Sequence, residues 1–225
     1  MKTSHYVEIG AAAIAAVVLA SSVSAQAPAA APAPPANPAH THIGHVMTQW
    51  KDTPASQGFL PAALADAKVA ATHAGYMQKS PDNLDSLKLH AGHVINALDP
   101  SIEMKGPGSG YGVKKAAAGA SQHAQLAAKS EGASKGVQTH AGHVTASLAN
   151  VAEWTDAAVA TAQKIRSATS AAEAAPLVAE LIAQTNNISN GLDANKDGTI
   201  GWQAGEGGLA QANQHMMLMM KGEGL

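Results

Sequence analysis

A histidine motif that recurs three times constrains this chain more than any other feature. It reads His42-Ile43-Gly44-His45-Val46, His90-Ala91-Gly92-His93-Val94 and His140-Ala141-Gly142-His143-Val144. Five positions after the second histidine comes a bulky apolar residue: Trp50, Leu98 or Leu148. A second element alternates with the first: Ala70-Ala71-Thr72-His73, Ala120-Ser121-Gln122-His123 and Ala212-Asn213-Gln214-His215. Each of these has a lysine six residues on, at Lys79, Lys129 or Lys221. Of the chain's 11 histidines, only His5 and His40 fall outside the scheme. Such self-similarity indicates one small structural unit used repeatedly. The first two units are compact. The third is stretched by an insertion of about two helices between His143 and His215, judged by periodicity.

Apolar spacing and breaker residues predict helices over 40–50, 61–79, 83–98, 113–129, 134–167, 171–187 and 205–221. Ser80-Pro81-Asp82-Asn83 has the chemistry of a helix start, and Gly106-Pro107-Gly108-Ser109-Gly110 that of a loop. Ser170 suits the cap of the sixth helix, with Glu173 at the capping-box position. Aromatic residues are few, with one Phe, three Trp and three Tyr. An alanine- and glycine-rich chain of this kind suits close helix packing and suits a β-sandwich badly. The expected fold is all-α, a bundle of about six or seven helices. It would be built from three histidine-containing helix-pair units at about 40–80, 81–130 and 131–225.

The N-terminus reads as a secretory signal over residues 1–25. Lys2 precedes an apolar run from Ala11 to Ala20, and Val23-Ser24-Ala25 is a small-x-small cleavage site. The run is shorter than the ~20 residues of a membrane-spanning helix, so the mature form is expected to lack a membrane span. An uncleaved anchor is the alternative. Residues 26–39 form an Ala/Pro linker without hydrophobic periodicity. The expected location is periplasmic or secreted.

On a helix, residues i and i+3 are neighbours on one face. His-x-x-His therefore aims two imidazoles at one point, and a histidine of the second element could complete a three-nitrogen site. The candidate metal sets are His42, His45 and His73; His90, His93 and His123; and His140, His143 and His215. Exchange between units is the alternative pairing. The glycine inside each motif costs about 1 kcal/mol against alanine in a helix. Its recurrence suggests close approach by a neighbouring helix or a bound ligand. Three imidazoles suit Cu, Zn, Ni or Fe without choosing among them. Met77 and Met219 share a helical face with His73 and His215, in a C-terminal run that also holds Met216, Met217 and Met220. Thioethers select Cu(I), but methionine more often fills core gaps.

Asp193-Ala194-Asn195-Lys196-Asp197-Gly198-Thr199-Ile200 resembles the start of an EF-hand calcium loop. The resemblance makes Asp193, Asn195 and Asp197 the first ligands and gives Gly198 the sharp turn. Thr199 would offer its carbonyl, and Ile200 would point to the core. Ala204 stands where the family has a bidentate glutamate, and Glu206 is the nearest substitute.

Other chemistries find little support. No cysteine is present, which removes thiolate ligands, a covalent c-type haem motif and a cysteine nucleophile. The formal net charge is −2 and no basic run offers a phosphate footprint, so nucleic acid is not an expected partner. No histidine motif contains an acidic residue to serve as general base, no nucleophile elbow is present, and no catalytic residue is assigned. An enzyme is the less expected reading. The expected function is transition-metal binding in an exported compartment, for buffering, delivery or sensing. The rivals are a non-covalent bis-histidine haem protein, a redox metalloenzyme, and an interaction module with packing or pH-sensing histidines.

Overall fold

A computed structural model describes residues 1–3 and 37–225. The chain divides into residues 1–35 and 36–225. All but the first three residues of the expected signal segment, and most of the linker, fall outside the described residues. Seven α-helices follow: α1 (Pro38–Met47), α2 (Phe59–Met77), α3 (Leu84–Leu98), α4 (Val113–Lys129), α5 (Lys135–Ser167), α6 (Ala171–Asn190) and α7 (Leu209–Glu223). There is no strand among the described residues, and the all-α expectation holds.

Local chemistry sets the helix starts. Asn37 Oδ1 accepts the Ala39 N–H at 2.9 Å, and Pro38 takes the first helical position. The first helix therefore begins at Pro38, inside the range expected to be linker. Asn83, Ser134 and Ser170 cap α3, α5 and α6 by accepting the N–H of Ser86, Val137 and Glu173. The Glu173 carboxylate reaches back past the Ser170 cap to the Thr169 N–H at 2.7 Å, one residue beyond the capping-box geometry.

The packing is built on small residues. Ala62, Ala63, Ala67, Ala70 and Ala74 of α2 are buried, as are Ala116, Ala117, Ala120, Ala124 and Ala127 of α4. Small contact residues let helix axes sit at the short end of the usual range. The 33-residue helix α5, about 50 Å long at 1.5 Å per residue, packs against α3, α4, α6 and α7. The part of α5 after His143 and all of α6 are the insertion expected in the third unit. Buried Asp66 secures the 99–112 connection by accepting the Ser109 N–H, the Ser109 hydroxyl and the Gly112 N–H. No helix among the described residues is long and apolar enough to cross a membrane.

The pairing order of the helices positions the sites. The α2–α3 hairpin is nested inside the contact of α1 with α4, and α7 returns to α5.

Candidate metal centres

All nine histidines of the repeat gather in threes. The first triad is His42, His45 and His123; the second is His73, His90 and His93; the third is His140, His143 and His215. Within each, the ligand atoms lie within 4.8 Å of one another, and each triad could hold a metal ion. The third set is as the motif spacing suggested. The first two exchange their single histidine, so that His123 joins α1 and His73 joins α3. The register explains this. His73 is fourteen residues after Phe59, about 21 Å from the α1–α2 connection, whereas His45 is two residues from the end of α1. They cannot sit level in a hairpin. His73 is four residues before Met77 and His90 six after Leu84, about 6 and 9 Å from the α2–α3 connection.

The rings face one another through Nδ1. His123 Nδ1 lies 2.9 Å from that of His42 and 3.2 Å from that of His45. The corresponding distances from His73 are 3.0 Å to His90 and 3.2 Å to His93. From His215 they are 3.1 Å to His140 and 3.4 Å to His143. An imidazole nitrogen carries either a proton or a lone pair. The shared Nδ1 can therefore make one good hydrogen bond, not two. A cation at the centre would satisfy all three nitrogens. Ligands 2.0–2.1 Å from a tetrahedral ion are about 3.3 Å apart, close to the spacing found.

Six of the nine triad imidazoles are shifted toward the uncharged form. Burial, followed by the charge of His45 and His42, lowers the pKa of His123 below 6.5. Burial and then His93 and His90 do the same to His73. His90 is lowered by burial and His93, His45 by burial and His42, and His143 by burial and His140. The largest effect is at His215, where burial, His143 and His140 bring the value to about 4. Neutral imidazole is the ligating form.

Each triad also touches an aromatic ring, and of these only Trp50 falls on a repeat position, where the other units have leucine. Trp50 packs on His45 at 4.8 Å and His123 at 4.9 Å between centroids, and Phe59 stacks on His123 at 5.4 Å. The equivalent Leu98 and Leu148 are ordinary core residues. Tyr76 lies 5.2 Å from His73 and 5.4 Å from His90. Trp202 stacks on His143 at 3.9 Å and 15°. Trp202 and Phe59 come from elements distant in sequence from the rings they cover, so spacing could not reveal them. Tyr76 could have been found, since it lies three residues after His73.

Two expectations are corrected. No neighbouring helix backbone approaches the motif glycines closely. A Cβ at Gly142 would meet nothing within 4 Å, at Gly92 only Arg166 Nε at 4.0 Å, and at Gly44 only Thr48 Oγ1 at 3.5 Å. Ile200 does not enter the core. It is 38% exposed and covers Gly191, while half-buried Trp202 stacks on His143. The methionines divide as core-filling predicts: Met77, Met216 and Met219 are buried, and Met217 is exposed.

In the 193–206 loop, the Asp193 carboxylate accepts the N–H groups of Asp197 and Gly198. Asp197 accepts the N–H and hydroxyl of Thr199, and Asn195 accepts the Asp197 N–H at 2.8 Å. Glu206 is buried, and its carboxylate accepts the Gly201 N–H at 3.0 Å. The triple ligand groups found among the described residues are the three histidine triads. Asn150 of α5 anchors the loop, donating to the carbonyls of Gln203 and Gly207 and accepting the Gly205 N–H.

No known protein family, curated protein or solved structure matches this chain.

Proposed function

We propose that this chain is an exported protein that binds transition metal at three three-histidine centres, for buffering, delivery or sensing. The observation that carries the reading is the Nδ1 convergence repeated three times, with spacings from 2.9 to 3.4 Å. Hydrogen bonding alone does not account for it. Among divalent first-row ions, a nitrogen site of this kind holds Cu(II) most tightly. No carboxylate or thiolate competes within the triads. The haem alternative has less support, because the rings of each triad interlock with centroids 4.5–5.9 Å apart and leave no slot for a macrocycle.

Export rests on the apolar run and the cleavage pattern ending at Ala25. Untagged protein recovered from the extracytoplasmic fraction should have an intact mass beginning at Gln26 and carry up to three equivalents of transition metal. A full-length mass or metal-free protein that takes up none would contradict the reading.

The loop from Asp193 to Glu206 is proposed as a weak calcium site, on its resemblance to the EF-hand loop. Extracytoplasmic loops need bind only at ~10⁻⁴–10⁻³ M to be occupied. Its carboxylates already hold the backbone in a curled conformation, with Lys196 and Gly198 at positive φ.

A further inference from the structure

The first triad borders a cavity through His45. A cavity of about 390 Å³ is lined by His45, Gln49, Trp50, Lys51 and Ser56. That volume is within the range of small-ligand sites. Its lining is one-sided in chemistry. Lys51 brings an ammonium, Gln49 an amide, Ser56 a hydroxyl, Trp50 an indole N–H and His45 an imidazole, and no carboxylate lines it.

The wall is held in an uncommon backbone conformation. Ala55 and Ser56 are consecutive non-glycine residues with φ of 54° and 52°. The Trp50 N–H reaches the carbonyls of Ser56 and Gln57, and the Thr53 hydroxyl reaches that of Trp50. Paired outliers of this kind persist where surrounding contacts over-determine them, and they collect at ligand clamps.

His45 connects the cavity to the triad. Its Nδ1 faces His123 at 3.2 Å. A metal on Nδ1 leaves the ring proton on Nε2, which makes that nitrogen a fixed donor. We propose that this cavity binds a small oxyanion, and that metal at the first triad strengthens the binding by fixing the His45 donor and adding positive charge. The proposal rests on the reading of the first triad as a metal site.

Sulfate is the probe, titrated calorimetrically at low ionic strength into the full mature protein with and without bound zinc. Zinc should tighten sulfate binding by about tenfold, within the usual range of coupling between sites. Lys51→Ala should weaken it by about tenfold, the loss expected for one charge-assisted hydrogen bond. Lys68→Ala, a surface lysine elsewhere, should leave it unchanged. Three equivalents of zinc bound with no effect on sulfate would overturn this inference and leave the metal reading standing. Equal sulfate affinity in the Lys51 and Lys68 variants would also overturn it. Failure to take up zinc would overturn both.

Discussion

At His215 the imidazole is surrounded by protein and by His143 and His140, and its pKa falls to about 4. An unfolded histidine titrates at ~6.5. Between these values the unfolded chain binds more protons than the folded one, so stability is lost as pH falls through that window. Above 6.5 both states are neutral and the contribution is flat. His45, His73, His90, His123 and His143 shift in the same direction. Metal-free protein should therefore melt at progressively lower temperature from pH 7 to pH 4. A melting temperature that rises or stays level across that range would contradict the burial assigned to these rings. The ligand residues themselves were legible from i, i+3 spacing and repetition. Their aromatic neighbours were mostly not, because Trp202 and Phe59 arrive from other elements.

Among the helices, the motif glycines present a local weakness with no packing reason. Gly142 lies inside α5 with open space where a Cβ would be. Gly142→Ala should raise stability by about 0.5–1 kcal/mol in denaturant unfolding, the ordinary difference in helix propensity. If the variant is stabilised and keeps its metal, the glycine is a relic of duplication. A loss of metal affinity in that variant would show that a ligand, rather than a helix, needs the bare backbone. The C-terminal loop makes a second prediction. Calcium at millimolar concentration should raise the melting temperature, as binding to the folded state alone requires. Asp193→Ala should remove the rise. Indifference of chelator-stripped protein to calcium would leave the loop a turn held by its own carboxylates. Most helix ends were readable from caps, such as Asn83 and Ser170. The start of α7 was not, because Gly205 and Gly207 bond to Asn150 and the Glu206 carboxylate holds the Gly201 N–H, so these residues close the loop rather than begin a helix.

At the level of the whole molecule, the bundle class followed from alanine content and apolar spacing, but the helix pairing did not follow from chain order. The α2–α3 hairpin could be read from distances to its six-residue connection. The partner of α1 could not, since His123 is also at a height to meet α5 across the next connection. Tertiary packing resolves it by nesting one hairpin inside the α1–α4 contact. On the proposed function, the nine histidines hold metal in three centres with this exchanged pairing. The direct test is the stoichiometry of tightly bound copper in wild-type protein and two triple variants, with helicity checked in each. The wild type should bind three equivalents, one per triad. His42→Ala/His45→Ala/His123→Ala empties one triad and should leave two. His42→Ala/His45→Ala/His73→Ala breaks two triads and should leave one. No tight copper in the wild type, or the reverse order in the variants, would contradict the account.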